Sequence, residues 1–493
     1  MQNISEVSNI NNNYYILNNN NKEKPQVLKN PNNTSVNQNL KSVNADILRA
    51  YHPAFTAFWN SGEKEVKTTA DSKLQFDIIK SKVDKKTAKQ LDSLQQRGIL
   101  QNNTSNDGST VLENLYKIIS EPRIQGLDEK LILSETIKAL DNPCSITQKF
   151  GDIPDNVADE ITKETGEKIP EFAKKVISSS CVAASMEFNL ADRCPAEFAR
   201  FAAGLTGQNY SVDKNIKISD FSENFTEGIW KLREFNTTNE LGKNWDEVTL
   251  RLQPDRNAIV RARVQTSYKD PGERSCIDVL MQSAILNFAS QNSYNSITDE
   301  RTGKFNPDKT GLTDFEKNFA EQVIFETPKY SVVYQNLDEN GVLKGYNCTQ
   351  EETKQHILKS LELGQNVIIG YTHLSTDNHV DGGHEITIVG YETDKNGKGS
   401  FICNDTDDGI DEVIKISEEK LLPLIHHAGI SKEALNPDDI VVSPWREYVE
   451  DFQNLLAEER QNQPEYRMYQ YNKEKEPEIK GLSSPMVRYS TTA

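Results

Sequence analysis

The chain has 493 residues, 36 % of them hydrophobic and 26 % charged, with a formal net charge of −18 and a pI near 5.0. That length can bury a sizeable core, and roughly two to four domains are expected. So acidic a surface repels phosphate backbones and anionic lipid, which argues against nucleic acid or a membrane as the main partner, and no run of 18 apolar residues suggests a transmembrane helix.

Asparagine fills 15 of the first 44 positions, with too few apolar groups to offset chain entropy, so residues 1–45 read as a disordered tail. The first residues carry neither a basic patch nor an apolar run. A cytoplasmic bacterial protein is therefore expected, with Sec export disfavoured and a non-Sec route left open. Residues 46–105 follow as a helical segment and linker. Within them, Asn44 to Phe58 suggests a short docking helix (Ile47, Leu48, Tyr51, Phe55). Residues 73–97 form a charged helical stretch that Gly98 stops.

Residues 106–170 read as a small helical region. Thr110 and Glu113 form a capping box for a helix carrying Leu112, Leu115 and Ile118; Pro122 ends it, and a second helix runs from about Asp128 to Leu140. The next unit, 171–440, contains a helix starting at Cys181 whose pattern continues to about Gly204. Further helices are expected over 273–290, 312–325 and 350–363. Three strand patterns come next: 366–372, the alternating 385–392, and 400–404 beyond an Asn396-Gly397 hairpin turn. Helices first and an antiparallel sheet later make an α+β arrangement. Residues 441–493 read as a C-terminal helix, about 445–460, and a polar tail.

Six cysteines (144, 181, 194, 276, 348 and 403) are scattered with no CxxC pair, as expected of reduced thiols in a cytosol. A catalytic cysteine needs a setting that favours thiolate, and the first turn of a helix supplies it through free N–H groups and the helix dipole. Cys181 fits: three serines precede it as potential caps, and a small-residue run follows. Cys276 also sits near a helix start, but Asp278 would oppose a thiolate there, which ranks it second. For the base, Gly382-Gly383-His384 places an imidazole at the opening of a strand, after a polar loop from Thr372 to Gly383. Across the Asn396-Gly397 hairpin the paired strand ends at Asn404-Asp405, so either side chain could orient the imidazole.

On these residues the chain resembles the papain-like cysteine peptidases. Cys181-Val-Ala183-Ala-Ser185 matches the run after that family's nucleophile, and Gly383-His384-Glu-Ile-Thr-Ile-Val389-Gly390-Tyr391 its histidine strand. Cys403-Asn404-Asp405 is similar to the position of its asparagine, and more so to the Asn-Asp of the bacteriocin-leader-processing relatives, where an aspartate orients the histidine. The resemblance covers residues 170–425 and implies a papain-like fold with Cys181, His384 and Asp405 or Asn404 as catalytic set. Two departures stand out. The glutamine that supplies an oxyanion donor about six residues before the family's cysteine is replaced by Lys175; Gln148 is the nearest upstream substitute, provided the intervening segment is an insertion. The 203 positions between Cys181 and His384 imply large insertions, at about 205–272 and 291–349.

The expected function is a cysteine hydrolase, a peptidase first, acting on a peptide or protein without cofactor or metal. Two alternatives stay open: a papain-like binding module that has lost turnover, and a transglutaminase- or deamidase-type acyl transferase. The oligomeric state and substrate identity are not readable. His373, His379 and His384 lack a zinc spacing, and the acidic runs at 336–341 and 405–412 fail the calcium-loop register, reading instead as polar turns, the second able to tune the histidine. His426-His427 follows an apolar helix and reads as its end.

Overall fold

A computed structural model describes residues 47–49, 70–149, 154–169, 179–217, 240–241, 247–268, 274–290, 294–301, 311–407 and 411–435. The Asn-rich stretch 1–45, Lys175 and the C-terminal helix expected at 445–460 lie outside them.

Helices lead the chain. α1 (Ala70–Lys82) and α2 (Lys85–Gln96) replace the single helix expected over 73–97, because Asp84 starts a new one by accepting from Thr87 N–H; Gly98, at φ 72°, then reverses the chain. α3 (Val111–Ser120) begins at the Thr110/Glu113 capping box, and α4 (Glu129–Asp141) is capped by Asp128. α5 (Asp155–Thr165) falls within the helical region expected over 106–170. The stretch from 181 divides at Pro195, which cannot donate to the preceding turn, into α6 (Cys181–Arg193) and α7 (Pro195–Leu205). α8 (Arg256–Tyr268), α9 (Cys276–Ala289), α10 (Asp314–Phe325) and α11 (Gln350–Glu362) follow; Ser275/Asp278, Thr313/Glu316 and Thr349/Glu352 form capping boxes at the last three.

The main sheet is antiparallel. Its strands are β1 (Ile47–Arg49), β2 (Lys329–Val333), β3 (Val367–Leu374), β4 (Val380–Thr393), β5 (Gly399–Asn404), β6 (Ile414–Ser417) and β7 (Ile425–Ser431), in the order β6-β5-β4-β3-β7-β2, with β1 also pairing to β4. Four expectations are corrected here. Residues 47–49 form a strand, not a helix, paired with Gly390 to Glu392. The supposed loop from Thr372 to Gly383 is mostly ladder, Tyr371 pairing with His384 and Thr372 with Gly383, so His384 sits inside β4 rather than at its opening. His426 and His427 belong to a strand because the helix before them is a single turn, Glu418–Leu421, closed by a 3₁₀ turn containing Pro423. β2 falls within the 291–349 stretch read as an insertion, yet it forms an edge of this sheet.

Alternation along the strands distributes the sheet between two cores. Val367 and Ile369 of β3, Ile386 and Ile388 of β4, and Phe401 and Cys403 of β5 pack together with Ile357 and Leu361 of α11. Ile368 joins the helical side, where apolar residues from Ile79 to Ile146 share one continuous core with α6, α7, α9 and α10. The early helices are therefore part of the layer that supports Cys181. α6 runs between this layer and the sheet, buried from Val182 to Arg193 with only Cys181 partly exposed. The architecture is α+β.

Candidate active site

Cys181 is the first residue of α6, where backbone N–H groups point away from the helix without intrahelical partners. Ser180 does not cap that turn, contrary to the sequence expectation. Its hydroxyl donates to Gln282 Oε1 (2.7 Å) and accepts from the Arg274 guanidinium, leaving the N-terminal field of the helix directed at Cys181.

α6 lies along β4, with Ser185 Oγ 3.4 Å from the Glu385 carbonyl and Asn189 Nδ2 3.4 Å from Thr387 Oγ1. This packing brings His384 to the start of the helix, close enough to the Cys181 side chain for it to count among the influences on the imidazole. On the other side of the ring, His384 Nε2 is 2.8 Å from Asp405 Oδ1. β4 and β5 explain the reach. Thr387 pairs with Asn404, so Asp405 emerges one residue beyond the ladder, level with the imidazole. The ring is only 4 % exposed, and Tyr371 packs edge-on against it at 5.7 Å and 83°.

Burial alone would push the His384 pKa down. The Asp405 charge, followed by Tyr371 and by the bonds to Asp405 and Cys181, outweighs it and lifts His384 well above the ordinary histidine value. Burial likewise acts to raise Asp405, but the His384 charge and hydrogen bond bring it below the usual carboxylate range. His384 is thereby favoured as imidazolium and Asp405 as carboxylate at neutral pH. Asp407 behaves oppositely: burial lifts it to about 7, with His384 opposing and Asp405 adding. His373, behind Tyr371, is lowered by burial and by the charge on His384.

Of the two candidates for orienting the histidine, Asp405 contacts it. Asn404 is buried and its amide has no hydrogen-bond partner among the described residues. Gln148 also arrives at this site, across 258 positions of sequence. Its backbone N–H donates to the Thr406 carbonyl (3.1 Å), and its Oε1 accepts from Thr406 Oγ1 (2.9 Å). Arg274 fixes the other end of that residue by donating to the Gln148 carbonyl (3.0 Å). Cys276, the rival nucleophile, is buried. Burial first, then the Glu135 charge and the hydrogen bond to Glu135 Oε2 (2.9 Å), raise its pKa well above the thiol norm.

Sequence reasoning missed the support behind the pair. Arg274, Ser180, Gln282 and Glu187 form a buried polar chain in which Gln282 Nε2 also donates to the Thr147 carbonyl and to Glu187 Oε2 (2.9 Å each). Arg274 and Gln282 flank or lie within α9, whose sequence reads only as an apolar helix. Tyr371 reads in the sequence only as a strand residue; its pairing with His384 becomes visible once register is known. Comparison with family models, curated proteins and solved structures returned no match to this chain.

Proposed function

We propose that the chain is a cysteine hydrolase, a peptidase of papain-like type, using Cys181, His384 and Asp405. The observation that carries this reading is an imidazole bonded to a partly buried carboxylate and set beside a helix-N-terminal thiol. That set is scattered over more than two hundred positions and follows the chain order of the resemblance seen in the sequence. Cys181 Sγ attacks the scissile carbonyl as thiolate, and the carbonyl π electrons move onto oxygen. The oxyanion is met by the Cys181 N–H and the Gln148 side-chain amide. Collapse of the tetrahedral adduct breaks the C–N bond, with the proton on His384 passing to the departing amine. A water then gives a proton to His384 and its oxygen bonds to the acyl carbon; the C–S bond breaks, releasing the acid and restoring the Cys181 thiolate beside the protonated His384.

Incubation with a broad peptide library, read by mass spectrometry, is expected to show cleavage that vanishes in Cys181→Ala. No turnover by the native chain would point to a binding module. Gln148→Ala is expected to lower kcat by about 10²–10³, the usual cost of one oxyanion donor. A second reading has one specific observation in its favour: the orienting group is a carboxylate, as in the Cys-His-Asp set of transglutaminases. Ammonia released from glutamine side chains without backbone cleavage would favour that acyl transfer over proteolysis.

A further inference from the structure

The two consecutive histidines of β7 and the first residue of α10 converge in a way that the cysteine chemistry does not use. In a regular strand His426 and His427 would point to opposite faces. The pairing of β3 with β7 slips at this place: Gly370 opposes His427 and Tyr371 opposes Ile425, leaving His426 as the extra residue of a bulge. The result is that His426 Nδ1 and His427 Nδ1 face each other at 2.8 Å, and His427 Nδ1 is 3.2 Å from Asp314 Oδ1. All three donor atoms lie within 4.8 Å of one another.

Room for the ring is built into the sheet. A β-carbon on Gly370 would fall 2.2 Å from His427 Cε1 and 2.7 Å from both His427 Nδ1 and Glu385 Oε1. The far nitrogen of His427 is 2.8 Å from that Glu385 oxygen, a charge contact whose N–H is not squarely aimed. Lys317 lies 3.5 Å from the other Glu385 oxygen, Oε2, and donates to the Ile368 carbonyl (2.9 Å). Asp314 keeps 26 % of its side chain exposed, so a hydrated ion has access.

We propose that His426 Nδ1, His427 Nδ1 and Asp314 Oδ1 form a binding site for one divalent first-row transition ion, zinc in first place, with water in the fourth position and Glu385 supporting His427 from behind. Zinc bonds of about 2.0–2.2 Å in tetrahedral array set ligand atoms about 3.3 Å apart, so the His426–His427 and His427–Asp314 separations of 2.8 and 3.2 Å need only small adjustments, and His426 Nδ1 and Asp314 Oδ1, within 4.8 Å of each other, are drawn to the same ion. The ion would tie α10 to β7 and, through Glu385, to the strand that carries His384. The site stands on its own, whether or not Cys181 is a nucleophile.

The test uses full-length chain carrying Cys181→Ala, so that the thiol cannot be a ligand, stripped by chelator and titrated with Co²⁺. A saturable one-to-one visible spectrum of a four-coordinate ion, displaced by Zn²⁺, is expected. His426→Ala and Asp314→Asn should weaken binding about a hundredfold or more, and Glu385→Gln about ten- to hundredfold. His379→Ala should bind as the parent does. Zn²⁺ should raise the unfolding midpoint of the parent and leave that of folded Asp314→Asn unmoved, which separates lost ligation from lost fold. Absence of saturable binding, or a spectrum indifferent to Asp314→Asn and His426→Ala, would overturn the site.

Discussion

Asp405→Asn is expected to cut hydrolysis at neutral pH by about 10²–10⁴ and to move the alkaline limb of the pH–rate profile to lower pH. Asparagine fits the same space and can still accept from His384 Nε2 through Oδ1, so the ring keeps a partner. What disappears is the negative charge, the leading influence that lifts the His384 pKa against burial. With a lower pKa the imidazolium loses its proton sooner as pH rises, and the thiolate loses its counter-charge with it. The sign for stability is the same. A histidine raised in the folded state contributes fully below its unfolded value of about 6.5 and loses that contribution as pH climbs through its folded value. The native chain should therefore lose stability on the alkaline side over a range that Asp405→Asn shifts downward. Asn404→Ala, which removes a side chain that makes no hydrogen bond to the ring, should leave the limb where it was. An unmoved limb in Asp405→Asn would show that the carboxylate does not govern the histidine.

Alkylation should separate Cys181 from the other five thiols just as sharply. At pH 6, iodoacetamide is expected to modify Cys181 at least about a hundredfold faster than any of the rest, since an ordinary thiol is well under one per cent thiolate there. The competitors are disfavoured for identifiable reasons. Burial pushes Cys194 up to about 11, and burial followed by a neighbouring carboxylate raises Cys276 and Cys403 well above the norm. Cys348 is buried, which leaves the partly exposed Cys144 as the fair comparison. Peptide mapping by mass spectrometry reads the order directly. His384→Ala should slow Cys181 to about the rate of Cys144. Equal labelling of Cys144 and Cys181 in the native chain would remove the case for an activated nucleophile.

Much of the fold could be read locally. Capping boxes and the Asn396-Gly397 turn are encoded within four residues, and each appears where the chain places it: Thr110/Glu113 starts α3, and Gly397, at φ 78°, turns β4 into β5. Because that hairpin is local, the approach of residues 404–405 to His384 could be argued from sequence, although Asn404 and Asp405 could not be told apart. The bulge beside Val389 and the end of the ladder at Asn404 make that choice, and both are properties of register. Non-local features escaped. Periodicity says which face of α3 or α4 is apolar but not what covers it, so the early helices read as a separate region although they complete the core under α6. β7 was hidden because its histidines and Gly429 break the alternation expected of a strand, and because Leu421 to Ile425 mimic a longer helix. Gln148 could be guessed only as the nearest upstream glutamine; the backbone bond to Thr406 that delivers it joins segments no sequence spacing relates.

The most direct measurement is the titration of His384 by long-range ¹⁵N NMR of histidine-labelled full-length chain, compared with Cys181→Ala. His384 is expected to be protonated on both nitrogens at pH 7, to titrate well above 6.5, and to move to lower pH once the Cys181 side chain is removed. A His384 that titrates at or below the ordinary histidine value, indifferent to the residue at 181, would rule out an imidazole paired with that thiol.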